Sequence, residues 1–271
     1  MDAKIAYNKL INLKKELRKL RRVLVAFSGG VDSTFLLAVA HEVLSANAIA
    51  ITGVSDQVPT HDLKDSDNFC RKFNIRHIKF NLDMLSVPAF TANPPERCYI
   101  CKKILFTNLL HVAAENEAIL VDGSNQDDLK DYRPGLKALE ELKIFSPLQQ
   151  VGLTKEEIRY LSYKMGLPTW QKAASACLAS RFVYGEKITK SKLIAVDKAE
   201  QILHQGGCKQ SRARIHGNMV RIEVLPEELE MVVSEPLRDK ICNALRSEGF
   251  KYVTLDLMGY RTGSMNEILK E

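Results

Sequence analysis

The stretch Val23-Leu-Val-Ala-Phe-Ser-Gly-Gly-Val-Asp-Ser-Thr34 decides the fold of this chain. Its first five residues are an apolar run of strand length, and residues 34–44 carry apolar side chains at helical spacing. Residues 28–33, called the phosphate loop below, therefore form a tight turn from strand to helix. The Gly-Gly pair lets the backbone approach a ligand closely, and the first N–H groups of the helix point at that ligand. The pattern predicts a site for phosphate groups.

The polar side chains of the phosphate loop favour a nucleotide. Ser28 and Ser33 add hydroxyl donors, and the Asp32 carboxylate could carry Mg²⁺ against phosphate oxygens. The loop is not a Walker A motif, because the Lys-Ser/Thr pair is absent. A glycine-rich connection with a helix-capping Asp32 or Ser33 is the simpler interpretation of a Gly-Gly turn alone. The complete Ser-Gly-Gly-Val-Asp-Ser string after a buried strand favours nucleotide binding over that interpretation.

Length and composition are those of an ordinary soluble globular protein. The chain has 271 residues, of which 45% are hydrophobic and 27% charged, enough for one large domain and a small one. No apolar run reaches the length of a membrane span, and the N-terminus lacks a signal-peptide core, so we expect a cytoplasmic protein without membrane contact. The net charge of +6 is modest, and it fits a nucleotide substrate without indicating a nucleic-acid partner.

Strands alternate with helices through the first 167 residues, which predicts an α/β fold with a doubly wound parallel sheet. The expected strands are 23–27, 48–54, 75–80, 118–122 and 144–148. Residues 168–188 read as a linker that carries Cys177 and belongs to the site. A helix at 189–205, a hairpin and a last strand predict a smaller α+β domain over 189–271, for substrate binding or oligomerisation.

Two further groups of polar residues are candidates for the site. The segment Gly123-Ser-Asn-Gln-Asp-Asp follows a predicted strand, at the sheet edge where ligands bind, although Asp127 and Asp128 taken alone are more typical of helix caps. Arg133 continues this loop as a candidate for a phosphate or carboxylate. Arg212 and Arg214 share one face of a strand and could clamp a phosphate, although an exposed basic strand face is the commoner arrangement.

Six cysteines in a chain of this kind argue against a disulfide framework. Cys98 and Cys101 lie three apart at the start of a predicted helix, as a redox pair, half a metal site or incidental thiols. A lone loop cysteine such as Cys177 is more often structural than catalytic. Three thiolates could nevertheless hold three irons of a cubane cluster and leave the fourth open. The cysteines without an assigned role are Cys70, Cys208 and Cys242.

Several motifs together resemble one family. They are the phosphate loop, Arg97-Cys-Tyr-Ile-Cys-Lys, Gly123-Ser-Asn-Gln-Asp-Asp with Tyr132-Arg-Pro-Gly, Ser146-Pro-Leu, and Ala176-Cys-Leu-Ala-Ser-Arg. The chain resembles the LarE family of ATP-dependent sulfur transferases, within the PP-loop ATP pyrophosphatase superfamily. The resemblance implies adenylylation of a carboxylate of pyridinium-3,5-biscarboxylic acid mononucleotide and its conversion to a thiocarboxylate, in the synthesis of the nickel-pincer nucleotide cofactor.

The resemblance also implies roles for individual residues. ATP, with Mg²⁺ on Asp32, would be held by Ala26, Phe27, Ser28, Gly29, Gly30, Asp32, Ser33, Gly123, Asn125 and Asp127. Cys177 matches the sulfur-supplying cysteine, and Asp32 would be catalytic with it. Some members sacrifice that cysteine's sulfur, whereas members with three cysteines bind a [4Fe-4S] cluster, here through Cys98, Cys101 and Cys177. The substrate would be held by Arg97, Arg133, Ser180, Arg181, Arg212 and Arg214.

The expected partners are a second copy of the chain and a small nucleotide substrate, together with sulfur-donor or cluster-assembly proteins. Rival functions stay open. A PP-loop tRNA thiolase also combines adenylylation with a Cys-x-x-Cys pair and a third cysteine, but no added RNA-binding module is recognisable. A protein that binds ATP without chemistry is the alternative from another class. An amidotransferase-linked ligase would need a partner glutaminase.

Overall fold

The computed structural model describes residues 1–130, 134–173 and 176–265, and it divides the chain into two compact units. The first unit comprises Met1–Ser55, Thr60–Leu82 and Cys98–Ser175. The second unit comprises Asp56–Pro59, Asp83–Arg97 and Ala176–Glu271. Segments 56–59 and 83–97 group with the C-terminal residues, so the first unit is not continuous in sequence. The domain boundaries at residues 167 and 188 stay a prediction.

Strands alternate with helices along the first half of the chain. The strands are β1 Val23–Ala26, β2 Ala48–Val54, β3 His77–Asn81, β4 Ile119–Val121, β5 Ser211–His216, β6 Met219–Val224 and β7 Tyr252–Leu255. The helices are α1 Ala3–Leu20, α2 Val31–Leu44, α3 Thr60–Lys72, α4 Pro88–Thr91, α5 Arg97–Glu115, α6 Pro134–Glu141, α7 Pro147–Gln150, α8 Lys155–Lys164, α9 Lys190–Gln205, α10 Leu229–Val233 and α11 Leu237–Ser247. In the described ranges, no helix has the length and apolar character that crossing a membrane requires.

A parallel four-stranded sheet in the order β3-β2-β1-β4 forms the centre of the first unit. Successive side chains of a strand point to opposite faces, and β1 shows this directly. Val23 and Val25 belong to a core cluster with residues of α1, α2 and α8, whereas Leu24 belongs to a second cluster with Phe106 of α5 and Leu139 of α6. Helices therefore cover both faces, and the predicted doubly wound fold is confirmed.

The predicted fifth strand at 144–148 is wrong in its extent. Phe145 forms only an isolated parallel bridge to Val121. Immediately afterwards the Ser146 hydroxyl donates to the Asp122 carboxylate at 2.5 Å, and Pro147 begins α7. Proline has no N–H for a ladder and favours the first turn of a helix, so pairing stops after one residue.

The second unit contains a three-stranded mixed sheet in the order β5-β6-β7. β5 and β6 form the predicted antiparallel hairpin around Gly217, whose φ of 61° suits a tight turn. β7 adds in parallel to β6, and α9 contacts both β5 and α11. α9 begins where the sequence predicts, because the Thr189 hydroxyl accepts the Lys192 N–H and caps it.

Candidate active site

The phosphate loop leaves β1 and leads into the N-terminus of α2, as the sequence predicts. Gly29 has a φ of 70°, and a Cβ on this residue would lie 3.4 Å from the Asp62 carbonyl oxygen. A side chain there would be strained, so the turn requires glycine. The Ser28 and Ser33 hydroxyls are 3.1 Å apart, and Ser33 Oγ also accepts the Ser28 N–H at 3.3 Å. These bonds close the loop around the first N–H groups of α2, which have no intrahelical acceptor.

Ala26 and Phe27 connect β1 to the phosphate loop. Ala26 is the last residue of β1, and the Phe27 N–H donates to the Ile51 carbonyl at 2.8 Å. The Phe27 carbonyl accepts the Thr52 hydroxyl at 2.6 Å, and that hydroxyl lies 2.8 Å from Nε2 of His77. This chain of polar contacts fixes the residue immediately before the loop.

The loop after β4 lies directly against the phosphate loop. A Cβ on Gly123 would be 3.0 Å from the backbone nitrogen of Ser33, so only glycine permits this approach. The Asn125 side-chain amide donates to Asp32 at 3.4 Å, and its Oδ1 accepts the Asp127 N–H at 2.9 Å. Since β4 pairs with β1, the loops that follow the two strands meet at one sheet edge. The structure therefore brings the predicted nucleotide-binding residues of both loops together.

Two lysines that the sequence did not single out belong to this part of the first unit. Lys155 makes an ion pair with Asp32, and its N–H donates to the Asp127 carboxylate at 2.8 Å. Lys172 contacts the carbonyl of Gly29 at 3.3 Å. A capping box of Thr154 and Glu157 is present and places Lys155 as the first residue of α8. That local signal marks a helix start, but nothing in it reveals the partner across the fold.

Cys98 and Cys101 lie near the N-terminus of α5, one turn apart. Cys98 is exposed and Cys101 is half-buried. Two other cysteines differ sharply: burial, aided by nearby Asp67, raises the pKa of the Cys70 thiol to about 12, and burial with Glu228 raises the pKa of Cys208 to about 11. Those two thiols therefore stay protonated at neutral pH.

Cys177 lies in the second unit, at the start of a short 3-10 turn that ends at Arg181 and is called the Cys177 turn (residues 177–181) below. The Cys177 carbonyl accepts the Ser180 N–H at 3.0 Å and the Ser180 hydroxyl at 2.8 Å. It also accepts Nη1 of Arg181 at 3.1 Å. The Cys177 side chain is half-buried, so this turn presents a thiol on a tightly bonded backbone.

Arg181 is a buried residue that holds the backbone of the Cys177 turn in place. Its side chain is 2% exposed and makes a bidentate pair with Glu200, with both N–O distances at 2.8 Å. A third guanidinium nitrogen donates to the Ala176 carbonyl at 2.7 Å. Burial alone would lower the pKa of Arg181, but the bonds to Glu200 outweigh it and the pKa is raised. The permanently charged guanidinium thus fixes the backbone on both sides of Cys177.

The other predicted substrate residues of the second unit surround the same turn. Arg97 donates to the Ala179 carbonyl at 2.9 Å, and Arg214 donates to the Ser180 carbonyl at 3.2 Å and pairs with Glu223 at 3.0 Å. Burial and the nearby Arg181 lower the pKa of Arg212, whose guanidinium lies 5.3 Å from the Tyr260 ring centroid. The structure therefore gathers Arg97, Ser180, Arg181, Arg212 and Arg214 in one unit. Arg133 lies outside the described residues.

Glu200 and Glu223 are the residues of this cluster that the sequence did not reveal. Both are buried, and each neutralises an arginine that contacts the Cys177 turn. Glu200 lies within an ordinary amphipathic helix, and Glu223 within a strand, where neither spacing nor composition marks it. A buried carboxylate can be inferred only from its partner, since an unpaired charge inside a protein is very costly.

Comparison with known proteins finds a family that matches the N-terminal segment and relatives that match nearly the whole chain. Residues 2–93 match the family described as the PP-loop domain. A pyridinium-3,5-bisthiocarboxylic acid mononucleotide synthase of Lactiplantibacillus plantarum is 37% identical over 96% of this chain and 95% of its own length. An uncharacterized protein of Synechocystis is 42% identical over 97% of this chain and 98% of that protein. An uncharacterized protein of Methanocaldococcus jannaschii is 30% identical over 94% of this chain and 98% of that protein.

Proposed function

The chain belongs to the LarE family of ATP-dependent sulfur transferases, and from this premise we propose that its substrate is pyridinium-3,5-biscarboxylic acid mononucleotide. The product is the corresponding thiocarboxylate. The observation that carries the proposal is the 37% identity, over 96% of the chain, to the synthase whose name specifies that bisthiocarboxylic product. Arg212, in the same unit as the Cys177 turn, supports it, because a guanidinium suits the phosphate that the substrate carries.

ATP activates the carboxylate in the first half of the reaction. A carboxylate oxygen attacks the α-phosphorus of ATP, pyrophosphate leaves, and the acyl group becomes bonded to AMP as a leaving group. The phosphate loop contributes N–H groups at the start of α2, where negative charge on the departing pyrophosphate is favoured. Lys155, which pairs with Asp32 of the phosphate loop, adds positive charge beside that loop.

Asp32 fits the role of a Mg²⁺ ligand. Its carboxylate is partly exposed beside the loop and pairs with one cation, Lys155, so the position favours positive charge. Mg²⁺ in proteins is held by one or two carboxylates together with phosphate oxygens and water. Bound there, the ion would neutralise charge on the β- and γ-phosphates.

Sulfur replaces AMP in the second half of the reaction. Cys177 is the proposed sulfur-bearing residue, since its thiol lies on a backbone that Arg181 and Ser180 hold in place. The Cys177 thiolate attacks the acyl carbon, and the AMP oxygen leaves with its bonding electrons to give a thioester. Loss of the Cα proton of Cys177 then breaks its Cβ–Sγ bond, which releases the thiocarboxylate and leaves dehydroalanine at residue 177. Arg212 is proposed to receive the substrate phosphate, because an anion beside it would offset the burial and the repulsion from Arg181 that lower its pKa.

Where a [4Fe-4S] cluster is assembled, we propose that it supplies the sulfur instead: Cys98, Cys101 and Cys177 would be its iron ligands, and Cys177 would keep its own sulfur. The support is chemical: Cys98 and Cys101 offer one exposed and one half-buried thiol on one helical turn, and soft thiolates suit iron–sulfur clusters. Cys98 and Cys101 lie in the first unit and Cys177 in the second. Within the described part of the chain, no three His, Cys, Asp or Glu side chains form a group that could hold a metal ion.

Iron and sulfide analysis of protein purified without oxygen tests the cluster. About four irons and four sulfides in the parent, lost on Cys98→Ala, Cys101→Ala or Cys177→Ala, would support it. Cys242→Ala is the matched control, because that cysteine is also half-buried but lies on α11. An iron-free parent after reconstitution would leave Cys177 as a single-use sulfur donor.

Pyrophosphate release tests the activation step separately. The parent should release pyrophosphate and form AMP only when ATP and the dicarboxylate mononucleotide are both present. Cys177→Ala should still release pyrophosphate, because adenylylation does not need the sulfur. No release with this substrate, from a protein that binds ATP, would exclude the proposed substrate.

A further inference from the structure

The carbonyl of Gly29 is held by a lysine from a distant part of the sequence. Nζ of Lys172 lies 3.3 Å from this oxygen, 2.9 Å from the Asp62 carboxylate and 2.8 Å from the Asp65 carboxylate. Asp62 is 6% exposed, so the ammonium is the counter-charge of a buried carboxylate. The lysine is therefore fixed between α3 and the phosphate loop, all within the first unit.

The backbone that carries Lys172 is also held in place. Nη1 of Arg159 donates to the Trp170 carbonyl at 2.6 Å, and Nη2 donates to the Lys172 carbonyl at 2.9 Å. Burial would lower the pKa of Lys172, but the bonds to Asp65 and Asp62 outweigh it and raise the pKa. The side chain therefore stays protonated at neutral pH and retains the hydrogens that it donates.

The geometry of a peptide group links this contact to ligand binding. In a trans peptide the C=O of one residue and the N–H of the next point in opposite directions. The Gly29 carbonyl faces Lys172, so the Gly30 N–H points away from the lysine. Its acceptor in the structure is Ser28 Oγ at 3.4 Å, near the upper limit for a hydrogen bond. Glycine restricts its own backbone least, so the Lys172 contact adds a restraint on this orientation to those of the serine hydroxyls.

We propose that Lys172 is a positioning residue for pyrophosphate. By holding the Gly29 carbonyl, it keeps the Gly30 N–H directed at the phosphates in the phosphate loop. The proposal rests on the ATP site described above but is independent of which carboxylate is activated. Lys172 precedes Cys177 in the sequence, so on this proposal a residue of the segment before that cysteine acts in the ATP-dependent half of the reaction.

Binding of pyrophosphate with Mg²⁺, measured by calorimetry, tests the proposal. Lys172→Met keeps most of the aliphatic stem and removes the donor, and we expect the Kd for pyrophosphate to rise about tenfold, the value of one hydrogen bond to a charged group. The Kd for AMP, which lacks the pyrophosphate groups, should change by less than about threefold. Lys172→Arg, which keeps charge and donors, should restore most of the affinity for pyrophosphate.

A charge-balanced variant keeps the test valid if Lys172→Met fails to fold. Asp62→Asn combined with Lys172→Met removes both members of the buried pair, and it should show the same selective loss for pyrophosphate. Lys164→Met is the matched control, because that lysine lies over the rings of Tyr160 and Tyr163 and should leave pyrophosphate binding unchanged.

The outcomes separate this inference from the proposed function. Equal affinity of the parent and the charge-balanced variant for pyrophosphate would overturn the role of Lys172 but leave the proposed function standing. Equal losses for pyrophosphate and AMP would also overturn it, since they would indicate a general structural role. A parent that binds neither ATP nor pyrophosphate would overturn the phosphate loop as the ATP site, and the role of Lys172 with it.

Discussion

The phosphate loop and the Cys177 turn are built in opposite ways. The phosphate loop is made of glycine and serine, and it offers backbone N–H donors at the start of α2. In the Cys177 turn the carbonyls are the bonded groups, and Arg97, Arg181 and Arg214 each donate to at least one of them. One region presents donors to a ligand, whereas the other uses cationic donors to hold its own backbone.

The two regions therefore depend on different features of the sequence. A donor-rich loop depends on small residues next to each other in sequence, so a local motif predicts it. A turn held by buried arginines depends on carboxylates elsewhere in the fold, such as Glu200 and Glu223. Substitutions should therefore affect binding first in the phosphate loop and stability first around the Cys177 turn.

The largest expected effect is on stability, from Glu200→Ala. This change leaves the guanidinium of Arg181 buried without its counter-charge and also removes the acceptor of the Ala213 N–H. The free energy of unfolding should fall by about 3–5 kcal/mol, measured by urea denaturation. Glu248→Ala is the control, because its pair with Lys198 is largely exposed and should contribute at most about 1 kcal/mol. Equal losses in the two variants would contradict the contrast between the two regions.

Gly29→Ala probes the same contrast from the side of the phosphate loop. Placing a Cβ at a φ of 70° should cost about 1–2 kcal/mol of stability. Gly152→Ala is the matched control, since Gly152 has a φ of 69° and open space around its Cβ position. Both variants should lose similar stability, but only Gly29→Ala should lose ATP affinity, measured by calorimetry. Normal ATP affinity in Gly29→Ala would remove this loop from the site.

Asp32→Asn should have a smaller effect on stability and a clear effect on binding. The pair with Lys155 is partly exposed, so the free energy of unfolding should change by less than about 1 kcal/mol. Mg²⁺ should no longer strengthen ATP binding in calorimetric titrations, because the proposed ligand has lost its charge. In Glu42→Gln, which breaks the exposed pair with Lys14, the Mg²⁺ dependence should remain. Unchanged Mg²⁺ dependence in Asp32→Asn would place the metal elsewhere.

Thiol labelling compares the cysteines without any substitution. Alkylation requires the thiolate, and burial raises the pKa of Cys70 to about 12 and the pKa of Cys208 to about 11. At about pH 8 these two thiols should stay almost unlabelled while exposed Cys98 reacts, as read by peptide mass spectrometry. Their labelling should rise only as the pH approaches those values. Rapid labelling of Cys70 in the folded protein at about pH 8 would contradict its burial.

The candidate ATP-binding part of the site is predictable from the sequence because it depends on motifs of residues that are adjacent in the chain. The phosphate loop, Gly123 and Asn125 follow strands whose order along the sheet brings their ends together. Lys172 and Glu200 could not be found this way, since their partners are distant in sequence and their local patterns are ordinary. The predicted fifth strand failed at Pro147, where a residue that cannot donate to a ladder follows a single bridge. The convergence of Cys98, Cys101 and Cys177, and the homo-oligomer, stay predictions.

The mass of the product tests the proposed sulfur transfer most simply. Protein purified without oxygen is incubated with ATP, Mg²⁺ and the dicarboxylate mononucleotide, and the small molecules are analysed by mass spectrometry, with Cys177→Ala and Cys242→Ala in parallel. We expect AMP and a product in which sulfur replaces a carboxylate oxygen, from the parent and Cys242→Ala but not from Cys177→Ala. AMP formation without any sulfur-containing product from the parent, or the same product from Cys177→Ala, would contradict sulfur transfer through Cys177.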